Sequence, residues 1–141
     1  MKYVEQSLSD GEEIAEIFYF HWIMWLWFWF WMLVAIPIFD AIFSLIGAIF
    51  ALIIFIRLKT TEHGLTNKRV VFKKGFISRQ TEEMRLSSIE TVEIDQTVLG
   101  RLLGYGDIKI TGRGTSDVVF KNLDDPLEVK RRIESISNPP V

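Results

Sequence analysis

The sequence predicts an α+β membrane protein, a two-helix transmembrane hairpin followed by a small β-sandwich or partial barrel closed by a C-terminal helix. Three observations predict it: two long apolar runs back to back near the N-terminus, short alternating β-rich segments after residue 57, and a capped amphipathic pattern at the end of the chain. The organisation expected is an acidic N-terminal segment at 1–16, a transmembrane helical hairpin at 17–56 and a cytoplasmic domain at 57–141.

The first run, Ile17 to Ile36, holds all five tryptophans, in "WIMWLWFWFW", and its only chargeable side chain besides tyrosine is His21. Alternation of Trp25, Trp27, Trp29 and Trp31 suggests a strand, but both faces are apolar, which a half-buried strand does not tolerate. A fully buried soluble helix would need more surrounding protein than the rest of the chain supplies. Twenty such residues make a helix of about 30 Å, the thickness of a bilayer's hydrocarbon core. The second run, Ile38 to Ile56, is nearly as long and contains only Asp40 as a charge. One unbroken helix from Ile14 to Ile56 would measure roughly 64 Å, so the chain must turn back. "AIPIFDAIF" provides the turn, with Pro37 ending one helix and Asp40 capping the next at Ala41.

Orientation is read from the flanks. The turn has no Lys or Arg, whereas Arg57 and Lys59 follow the second run at once and Lys68, Arg69, Lys73 and Lys74 come soon after. Both termini are therefore expected in the cytoplasm. The N-terminus lacks the basic region and cleavage pattern of a signal peptide. The absence of cysteine removes disulfides and thiolate chemistry.

On the second helix Ala41, Ser44, Ala48 and Ala51 recur at spacings of three, four and three, a stripe of small side chains with Gly47 beside it. Such a face admits another helix closely, either the aromatic first helix or a neighbouring subunit. Trp25, Trp27 and Trp29 lie mid-span rather than at the interfaces where tryptophans gather, which makes them helix-packing candidates, with plain lipid-facing filler as the alternative.

Beyond Arg57 six β-rich runs alternate with turn signals: "TTEHGLT", "RVVFKKG", "FISRQTEEM", "ETVEIDQT", "YGDIKITGRG" and "SDVVFKN". Gly75 closes one hairpin and "TGRGTSD" another. Asp125, Pro126 and Glu128 then occupy N-cap, N1 and N3 of a helix whose apolar stripe is Val129, Ile133 and Ile136, stopped by Asn138, Pro139 and Pro140.

These residues carry a resemblance. "TNKRV" at 66–70, the Gly75 hairpin with "SRQTEEMRLSSIETVE", and "LGRLLGYGDI" at 99–108 resemble the bacterial pleckstrin-homology (PH) domain of small membrane proteins. "GEE" at 11–13 and His21-Trp22 are similar to the Gly-Glu and His that precede the first span in that family, although Asp10 stands where proline is common. The resemblance implies a PH-like barrel on a two-helix anchor in the bacterial cytoplasmic (inner) membrane, and an association with oligomeric assembly.

Charge adds a second reading. From Arg57 to Arg79 there are seven Lys or Arg against one acid, Glu62. Arg57, Lys59, Lys68, Arg69, Lys73 and Lys74 are the candidate lipid-headgroup face, each worth about 1 kcal/mol beside anionic lipid. The alternative is that they satisfy topology and solvate strand edges. His21 and His63 have no second ligand at metal spacing, adjacent acids such as Glu82 and Glu83 point to opposite strand faces, and the paired glycines fit hairpins better than phosphate loops. No cofactor, no metal and no catalytic residue is expected. With 15 bases against 12 acids after residue 56, nucleic acid is disfavoured. The expected partners are membrane lipids, further copies of the chain, and other membrane proteins.

Overall fold

The computed structural model describes residues 3–36, 40–76, 78–114 and 117–138. Two sheets pack face to face: β1 (Ile14–Phe18), β2 (Glu62–Thr66), β3 (Arg69–Lys74) and β4 (Gln80–Arg85) in one, and β5 (Ile89–Asp95), β6 (Tyr105–Gly112) and β7 (Val118–Asp124) in the other. Every pairing is antiparallel. The helices are a short α1 (Tyr3–Gln6), the apolar pair α2 (Ile23–Val34) and α3 (Ala41–Thr60), a six-residue α4 (Val98–Leu103), and α5 (Pro126–Ser137).

All six β-rich runs of the sequence form strands; β6 and β7 alternate buried apolar residues on one face, whereas β2 is buried throughout and β4 contributes Met84 alone. Leu65, Val70, Phe72 and Met84 from the first sheet meet Val92, Ile108, Ile110 and Phe120 from the second, and α5 closes the open end with Val129 and Ile133. In β7 both Phe120 and Leu123 point inward although they are three apart. A bulge at Asn122, whose φ is 54°, absorbs the extra residue, and Asp107 accepts its N–H at 2.8 Å. Asp125 caps α5 as expected, accepting the Glu128 N–H at 3.3 Å, with Pro126 in the first turn.

The apolar runs divide differently from the expectation. Residues 14–18 are not the approach to a helix but strand β1, paired to β2 through Ile17↔Gly64 and Phe18↔His63. The extended chain continues to Phe20, which bridges Leu123 of β7, and α2 begins only at Ile23. The reason lies in composition: a buried strand and an apolar helix are equally hydrophobic, so no change in residue type marks where one becomes the other. The helical hairpin is therefore inserted between β1 and β2, and the barrel includes residues on both sides of it. Among the described residues one helix, α3, is long and apolar enough to cross a membrane, about 30 Å in its 20 residues; α2 is a shorter apolar helix of 12 residues, about 18 Å. Asp40 is the N-cap residue of α3 but makes no side-chain capping bond, and Pro37 lies outside the described residues, as do Pro139 and Pro140.

The two helices run antiparallel, since Trp31 stacks on Phe50 at 4.5 Å while Phe28 meets Phe55 at 5.7 Å. They approach closely at Gly47, where a Cβ would lie 2.7 Å from the Ala35 nitrogen. Gly47 and Ala51 are buried in this contact and Ser44 reaches the Ile36 carbonyl, whereas Ala41 and Ala48 face outward. Gly47→Leu is expected to lower the detergent-solubilised protein's stability by about 3 kcal/mol, because backbone cannot yield to the new side chain, while Ala48→Leu leaves the melting of the monomer within about 0.5 kcal/mol.

Candidate functional site

The six basic candidates separate into two groups along the β2–β3 hairpin. Lys68 and Arg69 stand at its turn, while Lys73 and Lys74 end β3 beside the foot of α3, near Arg57 and Lys59. Each group has distinct surroundings, and these decide what each can do.

Arg69 is occupied within the protein. Its Nε donates to Glu12 Oε1 at 2.9 Å and its Nη2 to Glu12 Oε2 at 3.2 Å, while further bonds reach Glu83 and the Ser7 carbonyl. Glu12 also accepts from the Thr66 hydroxyl at 2.7 Å and the Ser9 N–H at 2.9 Å. Burial alone would raise the Glu12 carboxyl, but these donors outweigh it and hold the group at about 2. Lys68 is likewise engaged, donating to the Asp10 carbonyl at 2.7 Å. The "GEE" and "TNKRV" segments thus form one polar lock. It ties residues 7–13 across the outer face of the first sheet, where Val4 also packs on Gly64 and Glu62 receives the Tyr3 and Val4 N–H groups.

At the foot of the hairpin the cations are more open. Lys59 lies 5.5 Å from the Trp25 ring centroid and Lys74 lies 5.9 Å from that of Phe72. Lys73 donates to the Thr60 carbonyl at 3.0 Å, closing the C-terminal turn of α3, and is 3.9 Å from Glu62. Arg57 is exposed and lines a cavity of about 790 Å³ between α3, the β3–β4 turn and β7.

The two histidines are both buried. His21 sits against Tyr105 at 5.3 Å, accepts the Ile23 N–H at Nδ1 and faces Asp124 at 3.6 Å, so it fastens the start of α2 to the barrel rather than reaching toward solvent. His63 is enclosed by Phe20, Phe72 and Phe120, with ring centroids within 5.3 Å. Burial pushes its imidazole down to about 4, against a hydrogen bond with the Phe18 backbone that pulls it up. Its Nε2 has no hydrogen-bond partner among the described residues. No group of three or more metal-binding side chains occurs among the described residues.

A second feature escaped the sequence reading. Helix α4 is capped by Thr97, which accepts the Gly100 N–H at 3.0 Å, and ended by left-handed Gly104 at φ 83°. It packs through Gly100 on Tyr105, the residue that touches His21, and turns Val98 and Leu102 outward, 88% and 81% exposed. Thr97 and Gly104 were the signals that could have revealed it.

A family model for the bacterial PH domain matches residues 14–136. The chain belongs to the bacterial PH domain family. The match starts at the first residue of β1 and runs into α5, so this bacterial PH domain includes the inserted hairpin within its own boundaries. Neither curated proteins nor solved structures give a match to the chain. Family membership and the two-sheet barrel with its C-terminal helix suggest a protein or lipid interaction module.

Two measurements test the site's energetics. Removing Arg69 leaves a buried carboxylate without its counter-charge, so Arg69→Gln should cost about 3 kcal/mol or more, whereas Lys74→Gln, a matched loss of charge, should cost less than about 1 kcal/mol. Thermal melts against pH should show two acid limbs. Unfolded His63 takes up its proton near 6.5 and the folded ring near 4, so its contribution is complete above about pH 6.5 and falls by roughly 3 kcal/mol as pH drops to 4. The Glu12 contribution is complete above about 4.5 and is lost as pH falls toward 2. His63→Phe should flatten the first limb and Glu12→Gln the second.

Proposed function

We propose that this bacterial PH domain is a non-enzymatic protein of the bacterial cytoplasmic membrane, with α2 and α3 as a multi-pass hairpin anchor and both termini cytoplasmic. In this reading the barrel mediates homo-oligomeric assembly or scaffolding at the cytoplasmic face. The observation that carries it is the outer surface of the hairpin. Trp27 and Trp29 are 54% and 62% exposed, and Ala41 and Ala48 remain uncovered after α2 has packed on α3. Small residues unused within a hairpin suit close approach by a helix of another copy, and rings of that size supply the facing contact area. Apolar side chains also stand exposed on the domain, Val98 and Leu102 on α4 and Phe76 beside α3, which suits a barrel resting on a membrane surface.

A second reading, recognition of anionic lipid, is favoured by the open cations Arg57, Lys59 and Lys74 at the hairpin foot. The mass of the intact protein in native-lipid nanodiscs tests assembly. A discrete multiple of the 16.4 kDa chain is expected, with Ala48→Leu and Trp27→Leu shifting it toward the single chain. A wild-type single chain would overturn assembly.

A further inference from the structure

The cavity at the foot of α3 combines three kinds of wall. Ile53, Ile56, Phe72 and Phe76 make it apolar on the helix and turn sides, and Arg57, Lys74 and Lys121 bring positive charge. Two carboxylates face the same space, and one of them, Asp117, is already bonded to Lys109 at 3.0 Å. The third component is His63, which is 1% exposed and whose Nε2 lacks a partner among the described residues.

That nitrogen specifies chemistry. His63 stands opposite Phe18 in the sheet, and with the ring proton on Nδ1 the unpartnered Nε2 is a lone-pair acceptor. Folded proteins seldom leave a buried acceptor unmatched, since its lost hydration is not recovered. A hydroxyl would match it. The cavity's volume of about 790 Å³ falls in the usual range for small-molecule sites. Above it Ile53 and Ile49, four apart, continue an exposed apolar track along α3.

We propose that the cavity binds one anionic amphiphile whose headgroup carries a hydroxyl beside its acidic group. The acid lies among Arg57, Lys74 and Lys121, the hydroxyl donates to His63 Nε2, and the chain follows Ile53 and Ile49 along α3. The proposal rests on the lipid-facing reading above and adds the pocket, the headgroup chemistry and the residue that reads it.

The chain has two histidines, so ¹⁵N-histidine labelling gives one reporter and one internal control. The full chain in phosphatidylcholine nanodiscs is titrated with phosphatidylglycerol, and in parallel with phosphatidylmethanol, which has equal charge and no free hydroxyl. The expected result is a saturable upfield shift of His63 Nε2 with phosphatidylglycerol alone, His21 remaining still. In the Arg57→Gln, Lys74→Gln double variant, half-saturation should need at least about tenfold more lipid. An unmoved His63 resonance, or the same response to phosphatidylmethanol, overturns the proposal. So does undiminished phosphatidylglycerol retention by His63→Phe, a substitution that keeps an aromatic ring among Phe20, Phe72 and Phe120. Detergent phase partitioning separates the two levels: a chain found in the detergent phase with an unmoved His63 loses the pocket and keeps the anchor, whereas an aqueous-phase chain loses both.

Discussion

The pairing of β1 with β2 is the constraint from which the remaining arrangement follows. Phe18 and His63 are cross-strand partners although the whole helical hairpin separates them in sequence. Neighbouring strands lie about 4.8 Å apart, whereas packed helices need about 8–10 Å between axes. The feet of the hairpin must therefore splay slightly and the helices must approach closely higher up. The approach at Gly47 meets the second need, and the turn through Phe20, His21 and Trp22 meets the first. Asn122 accepts the His21 N–H at 3.0 Å and Tyr19 accepts that of Asp124 at 3.2 Å, so the outgoing foot is bonded to β7 as well.

Electrostatics reinforces this frame from outside. The Glu12 carboxylate is buried at a place where only a complete set of donors makes burial tolerable, and Arg69, Thr66 and Ser9 supply the set. The lock covers the outer face of β2, and all five residues of that strand are buried as a result. A domain of this size gains from covering both faces of a central strand, because its single core is small.

Much of this was legible in the residues. Strands β2 to β7 follow from β-rich runs set between turn signals, α5 from its Asp125 and Pro126 start, and the onset of α3 from Asp40. What escaped depended on partners far away in the chain. Ile17 and Phe18 look like the beginning of an apolar helix until Gly64 and His63 are placed opposite them. Arg69 looks like one of six similar cations until Glu12 folds over it, and only geometry separates it from Lys74. On α3 the small-residue stripe was visible, but its rotation was not: Gly47 and Ala51 face α2, and Ala48 does not. His63 carried no local signal of its surroundings, since three phenylalanines from different segments enclose it and its Nε2 has no hydrogen-bond partner among the described residues.

Insertion of the hairpin inside the barrel also orders events during synthesis. Strand β1 leaves the ribosome first, yet its partner emerges only after both apolar helices have been made. Until then its edge is unpaired, and closure of the sheet must wait for the helices to settle with their ends side by side. The β1–β2 pairing therefore depends on the two helices coming together, and a chain whose helices fail to pair leaves β1 without its neighbour.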